Sequence, residues 1–293
     1  MRSIATLGTV AALALAGCGG EGEGGGGLVV RPDGGGDGDA IGPPLGDGIV
    51  TPPGGSDAGQ GCEHLDVLFA LDNSGSMSEE KSAMANQVFP AFAEQLLGTA
   101  GIQDFRAAVI DACPLPASFH TRGMSGECNF EGGADHMVSS SSALVGEFAC
   151  VADLWADDIQ CSGKNDDEQP ASAAAAALAS NASFLRDEAL LVIVAITDED
   201  EQPVPQASVG EVHDALVAAK ADPNHVVFLG IGGKSFCQGV YGEADHAVTL
   251  EALAASFGKR GVFWDLCGGE LAAGLGAAVG AIDQACSEFE APK

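Results

Sequence analysis

Asp72, Asn73, Ser74, Gly75 and Ser76 form a D-x-S-x-S run directly after a continuous apolar stretch. At the end of a buried strand, such a turn can aim one carboxylate and two hydroxyls at a single point. Hard cations such as Mg2+ or Ca2+, with Mn2+ a further option, require ligands of this kind. Far along the chain, Asp198 closes a second apolar run, and its carboxylate faces the same crevice if the two strands are neighbours. Asp and Ser are also common turn and cap residues, so the strand contexts and Asp198 are what make this a candidate metal site. Glu199, Asp200 and Glu201 read as a solvated acidic turn, with a contribution to the ion's outer shell as the alternative. His64, His120, His136, His213, His225 and His246 show neither HExxH nor paired spacing, which favours surface or core roles. No G-x-S-x-G elbow occurs and no histidine lies near Ser74 or Ser76 in sequence, so a serine nucleophile is not expected.

The elements that must position these oxygens follow from apolar patterning. Asp66 to Leu71 (D-V-L-F-A-L) and Leu190 to Ile196 have the length and continuity of fully buried strands. Phe105 to Ile110, His225 to Ile231 and Val262 to Asp265 are further strand candidates. Ser78 is positioned to cap a helix striped by Met84, Val88, Phe92 and Leu96, with a kink or break at Pro90. Leu144, Phe148, Val151, Trp155 and Ile159 follow helical steps, and an alanine-rich helix is predicted over 171–185. Helices are also predicted over Val209 to Ala221 and Leu250 to Phe257, then along Leu271, Leu275, Val279 and Ile282; Trp155 and Trp264 read as core aromatics. Strands alternating with helices imply a doubly wound α/β fold with a mostly parallel central sheet and helices on both faces. Ligands in such sheets sit beyond the carboxyl ends of the strands.

The strand V-L-F-A-L-D-N-S-G-S-M, the strand V-I-V-A-I-T-D and the βα alternation together resemble a von Willebrand factor type A (VWA) domain with its metal-ion-dependent adhesion site. The resemblance covers residues 62–287. The segments N-Q-V-F-P-A-F, D-E-Q-P and T-D-E-D are similar to adhesion-type domains of bacterial surface lipoproteins. It implies that Asp72, Ser74, Ser76 and Asp198 bind the ion. The family's second-loop threonine has no match, because only Ser162, Asp166, Asp167, Glu168 and Ser172 offer oxygens between Cys161 and Ala173. Glu168 is the preferred substitute; the alternative makes Ser172 the direct ligand and Glu168 an outer acceptor. A carboxylate here favours a divalent ion and makes it a weaker electrophile toward an incoming acid.

The chain has 293 residues, of which 46% are hydrophobic, enough for a sizeable core. Its 42 acidic residues against 12 Lys and Arg give a formal charge of -30, which repels phosphate backbones and excludes nucleic acid as an expected partner. Arg2 precedes a thirteen-residue apolar run, Ile4 to Ala16, too short to cross a bilayer, so residues 1–17 read as a signal peptide. Leu15, Ala16, Gly17 and Cys18 resemble a bacterial lipobox, with Cys18 lipidated and membrane-anchored; the alternative is an ordinary signal followed by an unrelated cysteine. Gly19 in place of an aspartate favours the outer membrane of a Gram-negative envelope. Residues 18–61 hold 18 of the 42 glycines and read as a disordered linker spanning roughly 35 to 40 Å; Asp33, Asp37 and Asp39 lack the glutamate that closes a calcium loop. Residues 288–293 are a C-terminal tail.

Eight cysteines remain beyond Cys18, allowing up to four disulfides in an exported chain. Cys62 with Cys286 and Cys237 with Cys267 are the expected bridges, leaving Cys113, Cys128, Cys150 and Cys161 unassigned. No C-x-x-C pair is present to suggest zinc. The expected function is a lipid-anchored envelope binding or adhesion module that meets a protein or surface glycan through an acidic group on the ion. The competing readings are an envelope scaffold in which the ion only stabilises the fold, and a metal-dependent hydrolase.

Overall fold

A strand with no polar alternation has no face to offer water, and the chain places its most apolar runs at the middle of one sheet. The computed structural model describes residues 62–114, 118–131, 133–153, 168–201 and 207–290. Cys18, the signal and linker segments, Trp155, Ile159 and Cys161 lie outside the described residues. In chain order the strands are β1 (His64–Leu71), β2 (Asp104–Asp111), β3 (Arg122–Gly123), β4 (Gly126–Glu127), β5 (Met137–Val138), β6 (Ala189–Ile196), β7 (Val226–Gly232), β8 (Cys237–Gly239), β9 (Gly242–Ala244) and β10 (Gly261–Asp265). The helices are α1 (Ser78–Ala83), α2 (Phe89–Gly98), α3 (Leu144–Ala152), α4 (Pro170–Ser180), α5 (Val209–Ala218), α6 (Val248–Ser256) and α7 (Leu271–Ser287).

Six strands form the main sheet in the order β10-β7-β6-β1-β2-β5. All neighbours are parallel except β2 and β5. The chain runs outward from β1 through β2 to β5, returns to the other side of β1 at β6, and runs outward again. This is the order of a doubly wound, Rossmann-like sheet, and its direction reverses between β1 and β6.

Side chains alternate between two cores. Leu65, Val67, Phe69 and Leu71 of β1 point toward α1, α2, α3 and α7, while Leu68 and Ala70 point toward α4, α5 and α6. Phe69 anchors the first core, with its ring 5.1 Å from Phe148, 5.8 Å from Phe89 and 6.0 Å from Phe92. Gly261 is required where α6 crosses β10, since a Cβ there would stand 1.8 Å from the Ala254 carbonyl oxygen. At the amino end of the sheet the buried Asp66 accepts bonds from the Arg186 Nε (2.8 Å) and backbone N–H (2.7 Å).

Several elements differ from the sequence-based reading. Ser78 is the first residue of α1, not its cap, and its hydroxyl donates to Glu79. Pro90 does not break the helical run: a π-helical segment, Met84–Val88, precedes α2 and leaves Pro90 in the first turn, where its missing N–H costs no helix bond. The alanine-rich helix stops at Ser180, followed by a 3-10 turn over Ala182–Phe184, because the Asn181 side chain bonds back to the Ala177 carbonyl. The helix predicted to reach Ala221 ends at Ala218. The short hairpins β3–β4 and β8–β9 and the antiparallel edge strand β5 carry no strong periodicity and were not anticipated. Disulfides join Cys62 to Cys286, Cys128 to Cys150 and Cys237 to Cys267, and Cys113 is also disulfide-bonded. No helix among the described residues is long and apolar enough to cross a membrane.

Candidate functional site

The register of β1 and β6 pairs Leu71 with Ile196, so Asp72 and Thr197 leave the sheet side by side. The Asp72 N–H donates to the Ile196 carbonyl at 2.9 Å, continuing the ladder one residue further. The Asp72 carboxylate is buried and held at both oxygens: Oδ1 accepts the Ser74 N–H and Oδ2 accepts the Thr197 hydroxyl, each at 2.8 Å. A 3-10 turn over Gly75–Met77 then brings the Ser76 hydroxyl to 2.8 Å from that of Ser74. Lys81 reaches back from α1 and donates to the carbonyls of Asn73 (3.1 Å) and Ser74 (3.3 Å), tying the motif loop to its helix.

Asp198 stands two residues past the end of β6, 2% exposed, and its Oδ1 is buried without a hydrogen-bond partner. Burial pushes its carboxyl up to about 6, with the Ser76 hydroxyl opposing the shift and the Asp72 and Glu199 charges adding to it. Burial also raises Asp72, against the bonds from Ser74 and Thr197 and the charge of Lys81. Glu168 is buried within electrostatic reach of both: burial, then the charges of Asp72, Glu199 and Asp198, push it up to about 9. Glu80, from α1, is 1% exposed with neither carboxyl oxygen partnered, and is pushed up to about 7 by burial, with the Asp198, Glu79 and Asp72 charges adding.

Asp72, Ser74, Ser76, Asp198 and Glu168 are therefore brought to one rim of the sheet, at its reversal point. Ser172 is not turned to them: its hydroxyl donates to Glu201 Oε2 at 2.9 Å, and the Ala171 N–H donates to Oε1 at 3.0 Å. Glu201 is 2% exposed and Asp200 accepts from the Thr249 N–H at 2.8 Å, which corrects the reading of residues 199–201 as a solvated acidic turn. These two carboxylates serve the first turns of α4 and α6, whose N–H groups lack intrahelical partners. Thr197, Lys81 and Glu80 were not singled out from sequence. The T-D pair at a strand end and a lone lysine one helix turn past the motif were the available signals; nothing in the sequence marks Glu80 as buried.

The donors are all oxygen, two of them neutral hydroxyls, and one buried carboxyl oxygen has no partner. That set fits a hard divalent ion. Among the described residues no group of three or more Asp, Glu, His or Cys side chains is placed to hold an ion. Like charges in a poorly solvated rim raise one another's proton affinity, and a divalent cation is the counter-charge that would relieve them.

No family model and no curated protein matches this sequence. Among solved structures, proximal thread matrix protein 1 from the mussel byssus is similar in two crystal structures. They have TM-scores of 0.41 and 0.40 and identities of 11% and 14%, and the match covers 76% and 77% of this chain. The chain spans about half the length of that protein, 49% and 47%. The manganese-loaded TRAP protein of Plasmodium vivax matches with a TM-score of 0.37 and 12% identity, covering 74% of each chain. At these scores nothing is built on the likeness. The strand order and mixed sheet of the chain itself fit a VWA-like α/β fold.

Proposed function

We propose that this chain is a cation-dependent binding module of a bacterial cell envelope, anchored by a lipid on Cys18 and held off the membrane by its Gly-rich linker. Asp72, Ser74, Ser76, Asp198 and Glu168 would hold Mg2+ or Ca2+, with Mn2+ also compatible. The bound ion supplies a Lewis-acidic position for a partner's carboxylate. Thr197 fixes the Asp72 carboxylate, and Lys81 fixes the loop that presents Ser74 and Ser76. The lipobox-like L-A-G-C supports the anchor, and the absence of an elbow serine or a histidine beside the motif supports recognition without turnover. The observation that carries the reading is the buried, unpartnered Asp198 Oδ1 beside the paired serine hydroxyls. An isolated buried carboxyl oxygen costs free energy unless something fills the gap.

The test is calorimetric titration of Mg2+, Ca2+ and Mn2+ into the full chain and into Asp72→Ala. One saturable site in the wild type, lost in the variant, is the expected result. Absence of binding by all three ions overturns the proposal.

A further inference from the structure

The hairpin β8–β9 stands beside the candidate ion site and points large apolar side chains into water. Phe236 is 60% exposed and Val240 is 73% exposed, among the most exposed large hydrophobics described. The hairpin is stiff. Cys237 at its base is bridged to Cys267, β8 and β9 pair over three residues each, and Gln238 donates to Glu243 across the hairpin at 2.9 Å. It is also docked on the site: β9 packs on the Gly75–Met77 turn that carries Ser76, and the Asp245 N–H donates to the Asp198 carbonyl at 2.7 Å. A Cβ on Gly242 would lie 3.9 Å from Glu80 Oε1. On the α1–α3 side of the motif loop a pocket of about 450 Å³ is lined by Gly75, Ser78, Lys81, Met124 and Asp153 among others, with Met124 52% exposed.

We propose that this rim selects a polypeptide segment in which a single carboxylate is flanked by a large apolar side chain, the acid meeting the ion and the apolar group covering Phe236 and Val240. This rests on the cation-dependent reading of the site. Charge favours a polypeptide over an acidic glycan: a polyuronic chain would bring a charge on every sugar toward a protein of net charge -30, whereas a peptide can carry a single acid. The exposed acids Glu79, Glu243 and Asp245 oppose any partner residue with a second negative charge, so neutral or basic residues should surround the one acid. A rigid hairpin loses little freedom on binding, which strengthens each apolar contact.

The full chain is panned against a random dodecapeptide display library in Mg2+, in parallel with a Phe236→Ser/Val240→Ser variant; the cation affinity of both is measured by calorimetry. The wild type is expected to select peptides with one Asp or Glu and a large apolar residue within about four positions, eluted by chelator. The variant should keep its cation affinity and bind those peptides about tenfold more weakly, the loss expected for one apolar side chain left in water. Selection of a carboxylate with no apolar preference overturns the inference and leaves the ion site standing. So does tighter capture of a uronic-acid oligosaccharide than of any peptide, or wild-type dimerisation that the double variant abolishes. Failure of the wild type to bind cation overturns the reading beneath it.

Discussion

If Glu168 is an ion ligand, cation binding must displace its proton. At pH 7 a carboxyl pushed up to about 9 is almost fully protonated, while Asp198, at about 6, is mostly ionised. Deprotonating Glu168 at pH 7 costs about 3 kcal/mol, since each pH unit below the group's own value is worth about 1.4 kcal/mol. Cation affinity should then rise about tenfold per pH unit from 7 to 9 and flatten above 9. Below about pH 6 the slope should steepen as Asp198 also takes up a proton. Calorimetry at pH 7 in buffers of different ionisation enthalpy reads the protons directly: about 1.1 should leave per ion bound, nearly all of it from Glu168. In Glu168→Gln the release should fall to about a tenth of a proton, and the rise between pH 7 and 9 should disappear. An ion that binds the wild type with no proton release and a flat profile from pH 7 to 9 would show that Glu168 keeps its proton and is not a ligand, refuting that assignment while leaving Asp72, Ser74, Ser76 and Asp198 in place.

Two further predictions concern the ion-free fold. Glu80 is buried, unpartnered and raised from 4.5 to about 7, so the native state holds its proton more tightly than the unfolded chain. Its contribution is fully present below pH 4.5 and lost as pH rises through 7, a change of about 3 kcal/mol; Glu80→Gln should abolish this slope and exceed the wild type in urea resistance at pH 8 but not at pH 5. Arg186→Met leaves the fully buried Asp66 without its guanidinium partner and should cost about 3 to 5 kcal/mol in denaturant titration, with Asp66→Asn in the same chain restoring a measurable part.

The sheet was legible because its strands bury both faces. Leu190 to Ile196 has no polar residue to contradict a central position, and β1, β6 and β7 fall within two residues of the boundaries expected. Motif residues at the ends of such strands were legible for the same reason: position along a buried strand fixes where the chain emerges. What escaped notice depends on contacts across long sequence distances. Glu201 looks like surface until α4, some thirty residues earlier in the chain, presents the N–H and hydroxyl that bury it. Pro90 looks like a break because single-sequence periodicity has no term for a π turn absorbing it. Glu80 sits in a charged, helix-forming stretch that reads as solvated; the hairpin above it is what removes the water. The two-residue strands are too short for any alternation to register.

Carboxylates end several strands of this sheet, and among those at described strand ends only Asp198 keeps a buried oxygen without a partner. At the end of β2, Asp111 accepts the Cys113 N–H at 2.9 Å and faces His120 Nε2 at 3.0 Å. At the end of β10, Asp265 accepts from the N–H groups of Lys234 (3.2 Å) and Cys267 (3.1 Å). Each is satisfied by its own neighbourhood and is a turn residue. Between β1 and β6 the chain departs differently: the loop after β1 enters α1 on one face of the sheet, while the connection after β6 leads to α5 on the other. Asp198 keeps one buried oxygen without a partner there, and burial together with the Asp72, Glu199 and Asp198 charges makes Glu168 hold its proton beside it. A D-x-S-x-S run at the end of β2 or β10 would have the same composition without that unpartnered oxygen, and would be expected to make a turn and no more.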